Sequence, residues 1–179
     1  MTGARRVPWM VLAVLATMAI ALRAADAIPG MLASVPRGVH VCASLAEAES
    51  RTSIGLSPLL HGLAGYQPVT GGIRATTTPS AAIALRMRQG EMGDPRLTVF
   101  RTKGAEIPSR LRPPLPAFHE IEISIVSGRV ALLRAATMTG GSVWQDLEWV
   151  DGDGRTALRF DGRTVELLAL ARRIVEGGR

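Results

Sequence analysis

The sequence predicts an α+β fold: a single, mainly antiparallel sheet with a short N-terminal helix and a C-terminal helix packed on it. Successive stretches after residue 80 alternate apolar and polar residues with a period of two, as strands with one wet face do. Ser127-Gly128 and the Asp-Gly steps between 151 and 154 supply hairpin turns. From Thr164 the period lengthens to that of a helix, with Leu167, Leu170, Ala171 and Ile174 sharing one face.

The chain opens on a segment outside that fold. Arg5 and Arg6 precede an uncharged apolar stretch from Val7 to Leu22, closed by Arg23, which is the n-region and h-region pattern of an export signal. Sixteen residues is close to the lower limit for crossing a bilayer, and Ala25-Asp26-Ala27 offers the small-x-small pattern a signal peptidase reads. Residues 1–27 are therefore expected to be a signal peptide cleaved after Ala27. The alternative is a single retained membrane anchor, with Trp9 at the interface and Arg23 snorkelling to the far side. Both readings place the remainder outside the cytoplasm, in the periplasm or cell envelope.

Residues 28–43 carry two prolines and two glycines and read as a linker arm, leaving residues 44–179 as one α+β extracytoplasmic domain. Ser44 with Glu47 three residues on has capping-box spacing and predicts a short helix from about Leu45 to Thr52. The segment "IGLSPLLHGLAGYQP" is broken too often by glycine and proline for a long helix. It reads as a short apolar strand and a loop that lays Leu59, Leu60 and Leu63 on the core.

Strands follow. Ile83, Leu85 and Met87 alternate with Ala84, Arg86 and Arg88, and "RLTVFRTK" behaves likewise. After the proline-rich "IPSRLRPPLPAF", Ile121, Ile123 and Ile125 alternate with Glu120, Glu122 and Ser124, and a turn leads into "RVALLRAATM". In "VWQDLEWV", Val143, Leu147 and Trp149 are expected on the buried face, with Trp144, Asp146 and Glu148 on the other, towards solvent.

The stretch "VDGDGRTALRFDG" then raises the question of a calcium loop. Counted from Asp151, the fifth position is Arg155, the sixth is Thr156 where an EF-hand needs glycine, and the twelfth is Gly162 where it needs an acid. The match fails after two ligands. A tight hairpin fits instead, and no metal site or cofactor is expected.

The formal charge of +6 falls to +4 once Arg5, Arg6, Arg23 and Asp26 leave with the export segment. The excess sits between Arg74 and Arg112, where eight cations face three acids. It is either a solvated strand face or a surface for anionic lipid headgroups, with Arg86, Arg88, Arg110 and Arg112 as contacts. No aromatic residues interleave, so nucleic acid is not expected as a partner. The single cysteine, Cys42, cannot form an internal disulfide and reads as a buried thiol. His40, His61 and His119 stand apart, Ser57 lacks the second glycine of a nucleophile elbow, and Gly71-Gly72 and Gly140-Gly141 lack a phosphate-loop lysine and read as turns. The domain is expected not to be an enzyme.

"SLAEAESRTSIGLSPLLHGLAGYQPV", the strands after it, and "LEWVDGDGRTALRFDGRTVELLALARRIV" at the end resemble a bacterial domain-of-unknown-function family. That family occurs in exported proteins and on the outer side of anti-sigma-type and envelope-sensor proteins. Trp149 and the final helix carry the resemblance best; Pro58, Gly65 and Tyr66 fit it loosely. It implies an α+β sheet-and-helix domain without known catalytic residues. Only six residues precede the apolar stretch, too few for the cytoplasmic part an anti-sigma protein needs. Two functions are thus expected: an exported interaction or sensor-accessory module that binds an envelope protein, or a lipid- or amphiphile-binding module resembling envelope lipoprotein carriers. In the second, Leu111, Leu115 and Phe118 of the proline-rich loop would guard a hydrophobic cleft.

Overall fold

The computed structural model describes residues 35–88, 96–116, 119–137, 141–152 and 154–177. The segment read as an export signal lies outside them, and among the described residues no helix is long and apolar enough to cross a membrane.

The period-two stretches after residue 80, together with two strands that precede it, form one antiparallel sheet. Its strands are β1 (Val39–Val41), β2 (Tyr66–Thr76), β3 (Ser80–Met87), β4 (Leu97–Thr102), β5 (His119–Ser124), β6 (Val130–Thr137), β7 (Val143–Asp151) and β8 (Gly154–Asp161). Their order across the sheet is β1-β2-β3-β4-β8-β7-β6-β5. Helices α1 (Leu45–Thr52), α2 (Ser57–His61) and α3 (Thr164–Gly177) complete it. An α+β architecture with one antiparallel sheet and a C-terminal helix is thus what the chain adopts.

The order contains one long jump. β4 lies mid-sheet beside β8, whereas β5 lies at the far edge, so the intervening chain must cross β8, β7 and β6. At about 4.8 Å per strand that is a span of some 15 to 20 Å, and the proline-rich segment 103–118 makes it. Its described part lies across one face of the sheet as a strap. The helices take the other face.

On the helix face, Ile83, Leu85, Leu97, Val99, Leu147, Trp149, Leu158 and Phe160 pack with Leu167, Leu170, Ala171 and Ile174 of α3. Each leucine, isoleucine, valine or phenylalanine among them contributes about 1.5–3 kcal/mol of burial. The odd-numbered alternation along β7 is as expected, but its first member, Val143, is 41 % exposed at the strand end, and Gln145 is buried in its place.

Four expectations need correction. The segment before β2 is helical: Ser57–His61 forms α2, with Pro58 in the first turn where its missing N–H is harmless. Its start is capped from a distance, since Glu49 Oε1 accepts the amides of Leu56 and Ser57 at 2.7 Å each and the Ser57 hydroxyl at 2.9 Å. Those amides hold the Glu49 carboxyl below its usual range. The linker arm ends earlier than residue 43, because Val39–Val41 pairs with β2 and both Val39 and Cys42 are buried. Gly71-Gly72 is an irregularity inside β2, where the register shifts between Pro68 and Ile73, and Gly71 adopts φ +70°, which only glycine takes cheaply. Finally, Asp146 and Glu148 do not face solvent, because the strap covers them.

Candidate functional site

Two features stand out from the framework: a charge cluster beneath the strap, and the free edge of β5.

The strap docks through Leu111, which is 5 % exposed and packs with Val39, Ala82, Phe100 and Ala157 on the sheet. The next residue, Arg112, turns its guanidinium inward. Its Nε donates to Asp146 Oδ2 at 3.2 Å and its Nη1 to Glu148 Oε2 at 2.6 Å. Asp146 also receives a two-pronged bond from Arg159, whose Nη2 reaches on to the Pro113 carbonyl of the strap at 2.7 Å. Glu148 further accepts from Arg155 at 3.1 Å and lies 3.5 Å from Arg134, which is itself paired with Glu120. Burial pushes the Glu148 carboxyl up, but the bonds and charges of Arg112 and then Arg155 outweigh it, and its pKa is lowered.

A cleft of about 360 Å³ opens here between strap and sheet, lined in part by Leu115, Arg134, Glu148 and Arg155. Each of its arginines already faces a carboxylate, so the cluster has the character of a fastening for the strap.

The residues singled out in the sequence do not converge. Arg112 is spent on Asp146 and Glu148 and is not free to meet an anionic surface. Arg88 is exposed, with Nε on the Tyr66 carbonyl at 3.2 Å, and Arg86 is half-buried, with its Nε lacking a partner among the described residues. Arg110 lies beside Thr78, in the turn at the opposite end of β3. Arg86 lies six residues along β3 from its first residue, Ser80, so about 20 Å of strand separates it from that turn, and Arg88 lies farther still. Of the expected hydrophobic cleft, Leu111 is in the sheet-side cluster, Leu115 borders a charged cleft, and Phe118 lies outside the described residues.

The aspartate turn is a hairpin: Asp151 pairs with Gly154, and Gly152 takes φ +65° in the loop between them. Asp153 lies outside the described residues. Asp151 is gripped by Arg101 and Arg129, whose hydrogen bonds and charges overcome the upward push of burial and lower its pKa. Among the described residues no three His, Cys, Asp or Glu side chains converge as metal ligands. His40, His61 and His119 lie on separate elements, β1, the end of α2 and the start of β5. Cys42 is a free, buried thiol, its pKa raised by burial and then by Glu47.

β5 is the second feature. Every residue from His119 to Glu122 is exposed, Ile121 by 53 %, and among the described residues β5 pairs only with β6. One row of its backbone donors and acceptors therefore has no strand partner among the described residues.

The sequence reading missed the strap fastening. The Arg-x-Arg step at 110–112 and the Asp-x-Glu step at 146–148 were both legible, but nothing in the sequence pairs them. Compared with protein-family models, curated proteins and solved structures, the chain matches none.

Proposed function

We propose that this chain is a non-catalytic, exported interaction domain that takes an envelope protein partner on the β5 edge. The observation that carries the reading is β5 itself: a six-residue edge strand with an open row of backbone groups and an apolar side chain, Ile121, left in solvent. The acidic residues on its other face select the partner. Pairing with a second copy would set Glu122 against Glu122 or Glu120 against Glu122, and like charges directly opposite destabilise a strand pair. A strand that alternates basic and apolar residues meets both faces favourably.

The strap cleft supports this choice over amphiphile binding at Leu111 and Leu115, because its lining is charged and mutually paired. Export rests on the n-region and h-region pattern at Arg5 to Leu22.

The test is a chemical-shift titration with two eight-residue peptides, one alternating lysine and valine, the other glutamate and valine. The basic peptide is expected to shift the β5 amides and leave β1 unchanged, and the acidic peptide to do neither. Equal effects of the two peptides, or shifts that avoid β5, would overturn the proposal.

A further inference from the structure

A second cleft, of about 370 Å³, lies on the other side of the sheet, where α3 runs past the ends of β2, β3, β4 and β8. One wall is a stripe of α3, Glu166, Ala169, Leu170 and Arg173, whose spacing brings them to one side of the helix. Phe160 and Leu170 are buried and floor the cleft, Tyr66 is half-buried in it, and Met87 is 49 % exposed at its mouth. The volume is at the small end of the range for organic ligands.

Its electrostatics differ from those of the strap cleft. Arg96 and Arg173 are exposed on the rim, and among the described residues neither has a carboxylate within ion-pair distance. The one acid of the cleft, Glu166, is held by Arg163 through bonds of 2.8 and 2.6 Å. The Tyr66 phenol is raised in pKa, by burial above all, so it keeps its proton and remains a donor. Two guanidinium groups and a phenol thus surround an apolar floor, each without an acceptor among the described residues.

We infer that this cleft binds an amphiphilic organic anion, with its carboxylate or phosphate on Arg96, Arg173 and Tyr66 and its apolar body over Phe160 and Leu170. The chemistry suits a fatty carboxylate or an alkyl phosphate monoester. Bidentate guanidinium contacts favour both headgroups, and the apolar floor excludes small inorganic anions from full contact. The site is separate from β5 and does not depend on the proposed partner.

The test uses the full chain, titrated below the micellar concentration with decanoate, decyl phosphate, inorganic phosphate and neutral octyl glucoside, with amide shifts at Tyr66, Ala169 and Arg173 as the readout. Decanoate or decyl phosphate should bind saturably, and whichever is tighter identifies the headgroup. Arg96→Gln with Arg173→Gln removes two charge-assisted bonds and should weaken that binding roughly tenfold or more. Ala169→Trp, at an exposed position, should block it while the fold persists. Binding of octyl glucoside or inorganic phosphate as tight as that of the amphiphilic anions would overturn the inference. So would anion binding that survives both variants, or no saturable binding.

Discussion

Arg159 grips Asp146 with both prongs of its guanidinium, Nε at 2.7 Å and Nη2 at 2.8 Å, on adjacent strands of the sheet. The pair would be an ordinary cross-strand bridge if it stood in water. Under the strap Asp146 keeps only 3 % of its side-chain surface, and Arg112 shares its second oxygen.

Removing Asp146 leaves Arg112 and Arg159 facing each other with one carboxylate fewer. Breaking one member of a buried ion pair typically costs about 3–5 kcal/mol, because the partner charge stays buried and uncompensated. Asp146→Ala is expected to lower the denaturant midpoint by a corresponding amount. A surface change such as Arg163→Ala, at a side chain 83 % exposed, should leave it almost unmoved.

Acid should loosen both this fastening, through Glu148, and the grip of Arg101 and Arg129 on Asp151 at the β7–β8 turn. The carboxyls of Glu148 and Asp151 have lowered pKa values in the folded state, so the unfolded chain binds protons first as the pH falls through their ordinary values, 4.5 and 3.8. Their contribution is fully present above that window and is lost as the pH falls through the lower folded values. Denaturant midpoints should therefore decline below about pH 4.5, and Glu148→Gln with Asp151→Asn should flatten the decline. Equal slopes in variant and wild type would show that other carboxyls carry it.

Trp149 and Trp144 offer a test of register. Trp149 is 2 % exposed on the helix face, whereas Trp144 is half-buried on the strap face. Trp149→Ala is expected to cost about 3–5 kcal/mol, enough to unfold or nearly unfold a domain of this size. Trp144→Ala should cost clearly less in the same melts, and the reverse order would invert the strand.

Gly62 marks the closest approach of α2 to α3. A Cβ there would stand 2.6 Å from the Arg173 carbonyl oxygen and 2.9 Å from the Ile174 amide, both backbone atoms of α3. Its φ of −67° would suit alanine, so only the collision opposes the change. Gly62→Ala should destabilise by about 1–3 kcal/mol, more than the few tenths gained from a stiffer unfolded chain. A melting temperature that rises would mean α3 can back away.

Much of this fold is local and so was legible. Period-two alternation located β3, β4 and β5, and the Asp-Gly step gave the β7–β8 hairpin, because both depend on residues close in sequence. The helical period gave the buried face of α3 with Leu167, Leu170, Ala171 and Ile174. What escaped was non-local. The α2 turn depends on Glu49 reaching seven and eight residues ahead to cap it. The burial of Asp146 depends on Arg112, 34 residues earlier, and on a strand order that sends the strap across β8 and β7. Alternation alone therefore assigned Asp146 and Glu148 to solvent. The two rim arginines of the α3 cleft carry no sequence signal at all, since only the fold brings residues 96 and 173 to one mouth.

The central claim is that β5 is where a partner docks, and residue-specific photocrosslinking in the native envelope tests it most directly. A crosslinker at Ile121 should give one discrete protein adduct that disappears with Glu122→Lys. A crosslinker at Arg110, beside the far turn of the sheet, should give none. Adducts of equal yield from both positions, or an Ile121 adduct indifferent to the charge at 122, would contradict it.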